Sequence, residues 1–363
     1  MNTTDVDKER IRRVVKRTIE RFSLNLEGLT VFTEAATGNY LYTPIMSALA
    51  GSDHVFAVTN NSKYGKKDEV KEQTLKEAKE LGVEDKITVL FEKDKDCLSK
   101  SDVVTNSGFV RPITKEMVSY MKPTAVIPLM FAAKDFCVSA REDIALEACH
   151  KKGVIVLGTN EHHPLLNLYD SVGFYICKLL FEKNLSVFKN KLLLIGSGDL
   201  GNYPTDFFIK NNVSIDRITF DDHILEHQKA FVRNRDEIIK RLGSYDAIIV
   251  AELYHNIDVL SNNGFIPVGI LKEKNPLVQI IHITGSISKD DVLKENLALH
   301  PKDIKPFGYM SVYCDYLGPN CTMECNAASL KVGEVASRCR LKGISVRDTI
   351  NYTLKNSPAD AAL

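Results

Sequence analysis

Over residues 7–22 the apolar positions recur with the period of a helix. Ile11, Val14, Val15, Ile19 and Phe22 share one face, while Arg12, Arg13, Lys16 and Arg17 fall elsewhere around it. This predicts a leading amphipathic helix packed on its own domain or on a second copy of the chain. Short β-branched runs then take turns with helical stretches. Residues 29–32 precede 44–50, and 55–59 precede 67–81; 87–91 follows; 103–106 precedes 114–121, 125–129 precedes 141–150, and 154–157 closes the series. Such alternation predicts a parallel sheet with helices on both faces. Residues 168–181 are apolar on more than one side, as expected of a buried connecting helix between two bodies. A second series follows it: 192–195, a glycine turn and helix, 218–220, a helix to Leu242, 247–250 and 277–283. From Lys305 the pattern breaks into Gly, Pro and Cys before two closing helices, around 327–339 and after Val346. The expected fold class is α/β, with two doubly wound parallel-sheet domains and a cleft between them.

A length of 363 residues suits two domains with full cores. Forty-seven basic against forty-seven acidic side chains leave no general field for a polyanion, which argues against nucleic acid or anionic lipid as partner. No apolar run reaches the eighteen or so residues that cross a bilayer. The first residues carry Asp5, Asp7 and Glu9 where a secretion signal carries a basic stub, so the expected location is the cytoplasm. Eight dispersed cysteines then read as reduced thiols. Cys314, Cys321 and Cys325 follow a C-x6-C-x3-C spacing, which is no zinc ribbon, so no metal is expected. Cys321 is at most a lone thiol without an activating base nearby in sequence.

The strongest chemical signal is Gly196-Ser197-Gly198-Asp199-Leu200-Gly201, directly after the strand-like Leu192-Leu193-Leu194-Ile195. A Rossmann-like dinucleotide site needs its first glycine for a tight turn, its second for close approach of pyrophosphate, and its third for helix-to-strand packing. About twenty residues on, Asp221 stands at the end of the next strand, where a carboxylate accepts ribose hydroxyls and disfavours a 2′-phosphate. The predicted cofactor is therefore NAD, held by Gly196, Gly198, Gly201 and Asp221. Pro204 is compatible with this only if the helix begins there.

The second signal is Thr159-Asn160-Glu161-His162-His163-Pro164, at the end of the first series. A carboxylate beside an imidazole suits acid–base work near neutral pH. His162 is the preferred catalytic group, with Glu161 orienting it, and Asn160 is a polar contact. Glu34 and Asn106, in the strand-end loops Glu34-Ala35-Ala36-Thr37-Gly38 and Asn106-Ser107-Gly108, are further expected contacts for a small polar substrate. His223, His227, His255, His282 and His300 read as surface or packing residues.

Several segments come in the order of a known superfamily. They are Ser101-Asp102-Val103-Val104, Ile113-Thr114-Lys115-Glu116-Met117, Lys152-Gly153-Val154-Ile155-Val156-Leu157-Gly158-Thr159, the connecting helix, the glycine turn with Asp221, and Tyr245-Asp246-Ala247-Ile248-Ile249-Val250. Over residues 101–288 the chain resembles the D-2-hydroxyacid dehydrogenase superfamily, which includes formate and glycerate dehydrogenases. The resemblance implies a flavodoxin-like or Rossmann-like catalytic domain of residues 1–165 plus 320–363, with an NAD-binding Rossmann domain of residues 166–319 inserted. It also implies a homodimer and an NAD-dependent oxidoreductase. At the positions of the superfamily's catalytic arginine and histidine, this chain carries Thr284-Gly285-Ser286 and Pro319-Asn320-Cys321. Two alternatives stand beside the oxidoreductase. One is an enzyme using S-adenosylmethionine or another adenosyl nucleotide at the loop of residues 34–39; the other is a non-catalytic nucleotide-binding sensor on a dehydrogenase frame.

Overall fold

The computed structural model describes residues 5–139 and 143–363, so the start of the helix expected at 141–150 lies outside the described residues. The chain divides into two compact units, Met1–Asn167 with Gly318–Leu363, and Leu168–Leu317.

In the first unit, strands β1 (Thr30–Glu34), β2 (His54–Val58), β3 (Ile87–Leu90), β4 (Val103–Val104), β5 (Val126–Pro128) and β6 (Ile155–Thr159) are all parallel. The terminal strand Ala359–Ala362 adds antiparallel to β6. The sheet order is terminal strand, β6, β5, β4, β1, β2, β3. The chain thus winds outward from β1 in one direction, returns, and winds outward in the other. The strands are near-continuous apolar runs because both faces are covered. Phe32, Val104, Ile127 and Val156 join one core, and their alternating neighbours Val126, Ile155 and Leu157 join Val332 and Ala336 of the helix Pro319–Leu341 on the opposite face. That helix lies close to the sheet: a Cβ on Gly333 would stand 2.8 Å from Val103 Cγ1.

The first helix, Asp5–Arg21, buries Ile11, Val14 and Val15, and Phe22 is buried just beyond it. Its partners lie in its own unit. Arg12 pairs with Glu77 at 2.6 Å, Arg17 bonds Asn320 at 2.8 Å, and Arg21 pairs with Glu324 at 2.7 Å. Of the two expectations for this face, packing on its own domain is the one observed.

The second unit is centred on β7 (Lys191–Ile195), with β8 (Ser214–Ile218), β9 (Ala247–Ala251), β12 (Gln279–Thr284) and β14 (Ala298–His300) in the parallel order β14-β12-β9-β7-β8. A parallel bridge from Arg217 to Val232 marks one further, vestigial strand position beyond β8. The short strands β10 (Asp258–Ser261), β11 (Ile266–Pro267) and β13 (Ser286–Ile287) form a separate parallel ribbon. The winding direction reverses between β7 and β9, which creates a topological switch point at their carboxyl ends.

Two expectations need correction. The connecting segment is a 3₁₀ turn, Leu168–Asp170, followed by the helix Ser171–Glu182. That helix is amphipathic: Val172, Tyr175, Ile176, Leu179 and Leu180 are buried while Phe174 and Phe181 are more than half exposed. The helix after the glycine turn runs Gly198–Lys210 with Pro204 inside it rather than at its start. Proline removes one rung of the ladder there. One residue on, the Thr205 hydroxyl donates to the Gly201 carbonyl at 2.7 Å.

Candidate functional site

The glycine turn occupies the switch point of the second unit. β7 ends at Ile195, Ser197 is extended, and the helix begins at Gly198 with φ +53°, a left-handed conformation that favours glycine. The other two glycines permit close packing. A Cβ on Gly196 would lie 2.8 Å from the Ala251 carbonyl oxygen, and one on Gly201 would lie 2.2 Å from the Gly196 carbonyl oxygen. The Gly198 amide donates to Asp221 Oδ2 at 2.7 Å, and the Thr219 hydroxyl donates to the same oxygen at 3.2 Å. Asp221 is therefore stitched to the turn itself, and its second oxygen carries no hydrogen bond among the described residues.

Beneath and beside the turn stand residues that no sequence motif singled out. Arg217, on β8, is 1% exposed. Its Nε donates to the Gly196 carbonyl at 3.0 Å, and its Nη1 donates to Asn202 Oδ1 at 2.7 Å and to Gln228 Oε1. All three acceptors are uncharged. Burial pulls the guanidinium below its usual pKa, while Asp221, Glu252 and Asp206 at longer range oppose that pull. Glu252, just past β9, is fully buried. It accepts the Ser197 hydroxyl at 2.5 Å, the Tyr254 and His255 amides at 3.0 and 2.9 Å, and His255 Nδ1 at 3.1 Å. The Tyr254 ring lies over Gly198, where a Cβ would meet it at 2.4 Å. The loop after β9 is thus fastened to the glycine turn at two places. The signal available in sequence was a charged residue ending an otherwise apolar run, Val250-Ala251-Glu252, and a charged pair inside one, Ile215-Asp216-Arg217-Ile218.

The first unit has its own switch point between β1 and β4. Glu34, the last residue of β1, is 4% exposed, and its carboxylate accepts the Phe109 amide at 3.2 Å. Gly108 makes room for it, since a Cβ there would stand 1.8 Å from Glu34 Oε2. Burial pushes the Glu34 carboxyl up to about 7, against the Phe109 amide and the charge of Arg111. Thr33, Thr105 and Ser107 form a buried hydroxyl cluster beside it, with Thr105 Oγ1 2.9 Å from Thr33 Oγ1 and 2.8 Å from Ser107 Oγ. Asn106 is buried too, and its Oδ1 accepts the Met130 amide at 3.0 Å, tying the tip of β4 to that of β5.

Sheet order brings Glu34 and Asn106 onto adjacent strand ends, whereas Asn160, Glu161 and His162 follow β6, two strands farther along the same edge. Asn160 closes a local turn: its Oδ1 accepts the His162 amide at 3.0 Å and its own amide donates to the Pro358 carbonyl at 2.7 Å. Glu161 is buried and His162 exposed. The His163 Nδ1 accepts the Leu165 amide at 3.2 Å, and partial burial lowers its pKa. Among the described residues, no three His, Cys, Asp or Glu side chains gather as a metal site, and no helix is long and apolar enough to cross a membrane.

No family model matches the chain, and no curated protein matches it. Among solved structures it is similar to a dipicolinate synthase polypeptide from Bacillus halodurans, with a TM-score of 0.52 and 10% identity over 84% of this chain and 96% of that one. The corresponding dipicolinate synthase polypeptide from Bacillus subtilis gives a TM-score of 0.53 and 9% identity over 90% and 99%. A D-lactate dehydrogenase from Treponema pallidum gives 0.45 and 12% over 87% and 98%. At these identities the likeness is one of fold. It agrees with the two doubly wound parallel sheets of this chain.

Proposed function

We propose that this protein is an NAD(H)-dependent oxidoreductase acting on a small polar metabolite, with the dinucleotide held by the second unit at Gly196, Gly198, Gly201 and Asp221. The observation that carries the reading is the placement of the glycine turn at a switch point, with a left-handed Gly198 and a carboxylate fixed beside it. What fits the group is a glycine turn that opens a helix of 13 residues, with the Gly198 amide bonded to Asp221 and one Asp221 oxygen left for ribose hydroxyls; phosphate would take the turn's amides in exchange for that bond. When bound, the nicotinamide would supply a hydride acceptor or donor, which makes hydride transfer to or from the substrate the reaction class. In the first unit, Glu34, Asn106 and Asn160 are assigned to the substrate, and Glu161 with His162 to acid–base work. The superfamily's arginine and histidine are absent, so a 2-hydroxy acid is not the substrate assigned.

Titration with NADH, followed by nicotinamide fluorescence, should show saturable binding. Asp221→Asn keeps an oxygen for the Gly198 amide but removes the charge facing the ribose, and should weaken NADH about tenfold while weakening NADPH less. A folded wild-type protein that binds no NADH at millimolar concentration refutes the cofactor assignment, and binding of S-adenosylmethionine in its place selects the adenosyl-nucleotide enzyme. NADH binding without turnover of any compound in a metabolite screen selects the sensor. The reading includes a homodimer, for which light scattering should return about twice the 40.6 kDa of one chain.

A further inference from the structure

The loop after β9 carries an imidazole whose sequence neighbours gave it no role. His255 Nδ1 lies 3.1 Å from Glu252 Oε1, the Glu252 side chain is fully buried, and that of His255 is 36% exposed. The same carboxylate takes the Ser197 hydroxyl from the glycine turn at 2.5 Å, so one buried anion fixes both the turn and the imidazole. With Nδ1 committed to Glu252, Nε2 has no hydrogen-bond partner among the described residues. A carboxylate behind an imidazole settles the tautomer and keeps the ring in one orientation, with Nε2 turned away from the carboxylate. The ring also stands 6.1 Å from that of Phe220, centroid to centroid, at the tip of β8 next to Asp221. His255 is therefore bordered by the two loops that flank the turn.

We infer that His255 is a nucleotide-binding residue: as an imidazolium held by Glu252, it donates from Nε2 to an anionic phosphate of the dinucleotide, so that binding takes up a proton. This rests on the cofactor reading and extends it. Arg217, the arginine beneath the turn, is buried and gives Nε and Nη1 to Gly196, Asn202 and Gln228. Asp221 and Asp222 at the β8 tip and Glu252 are negative, with the exposed His223 beside them, so an imidazolium at His255 offsets a dianionic pyrophosphate at this edge. Because only the protonated ring carries a donor at Nε2, NADH affinity falls as pH rises.

The test is NADH titration of the intact protein between pH 6 and 8.5, on wild type, His255→Gln and His227→Gln. His227 is an exposed imidazole of the same unit, paired with Asp206 at 2.7 Å, and serves as the control. Wild type and His227→Gln should bind NADH about tenfold more tightly at pH 6 than at pH 8.5, whereas His255→Gln should be flat and resemble wild type at pH 8.5. Nitrogen-detected NMR of the histidine rings should show His255 Nε2 becoming protonated when NADH is added at pH 7.5. A His255→Gln profile that keeps the wild-type slope, or a His255 ring unmoved by saturating NADH, overturns the inference and leaves the cofactor site standing. Wild type that binds no NADH at any pH overturns both.

Discussion

Glu34→Gln should stabilise the protein at pH 8 by as much as about 3 kcal/mol, and by less than about 1 kcal/mol at pH 5. The carboxyl is buried at the end of β1 with one backbone donor, the Phe109 amide, and burial holds its pKa up at about 7. In the unfolded chain the group returns to its ordinary value of 4.5. Between those two values the native state binds the proton and the unfolded state does not, so wild-type stability falls as pH rises through that window and levels off above it. Glutamine keeps an oxygen for the Phe109 amide and cannot ionise, which removes the slope. Denaturant unfolding of both proteins at several pH values reads this directly. A constant difference between variant and wild type across pH 5–8 would show that the carboxyl is not held protonated. The same property suits the proposed substrate contact, because a carboxyl half-protonated near neutrality can donate to a substrate oxygen and then accept from it.

Much of the scaffold was legible because a parallel sheet covered on both faces leaves uninterrupted apolar runs. Val103-Val104, Leu192-Leu193-Leu194-Ile195 and Ala247-Ile248-Ile249-Val250 announce buried strands whatever their neighbours are. The glycine turn was legible for a related reason: its chemistry lies in six consecutive residues and one carboxylate at a fixed distance along the chain. Glu252 and His255 were not, because their meaning depends on β9 lying beside β7, and sheet order is a long-range property. Read locally, His255 is one more polar residue in a loop. Asn160 shows another side of the same limit: its side chain closes a backbone turn, local work that its neighbours in sequence did not announce. Pro204 misled for a third reason, since the rule that bars proline from helix interiors states a cost which the buried packing of the helix Gly198–Lys210 carries.

Gly201→Ala should destabilise the second unit by about 3 kcal/mol, although alanine is the better helix former by roughly 1 kcal/mol. The added methyl would stand 2.2 Å from the Gly196 carbonyl oxygen and 2.3 Å from Arg217 Nη2. Neither neighbour is a loose side-chain end. The carbonyl belongs to the turn itself, and the guanidinium is fully buried and bonded to that carbonyl at 3.0 Å. The helix must therefore move off the strand, at an overpacking cost of about 1–3 kcal/mol, and the charged hydrogen bond from Arg217 is strained with it, at about 1.5–3 kcal/mol. Gly269 is the internal control. It is exposed in the short helix Val268–Lys274 with nothing within 4 Å of an added methyl, so Gly269→Ala should gain about 0.5–1 kcal/mol. Denaturant unfolding of the two variants measures the contrast, and NADH titration adds a second reading. Displacing the helix moves the Gly198 amide and its bond to Asp221, so Gly201→Ala should lose nucleotide affinity while Gly269→Ala retains it. Equal stability of Gly201→Ala and wild type would mean that the helix slides freely over β7, and would remove the packing role assigned to the third glycine.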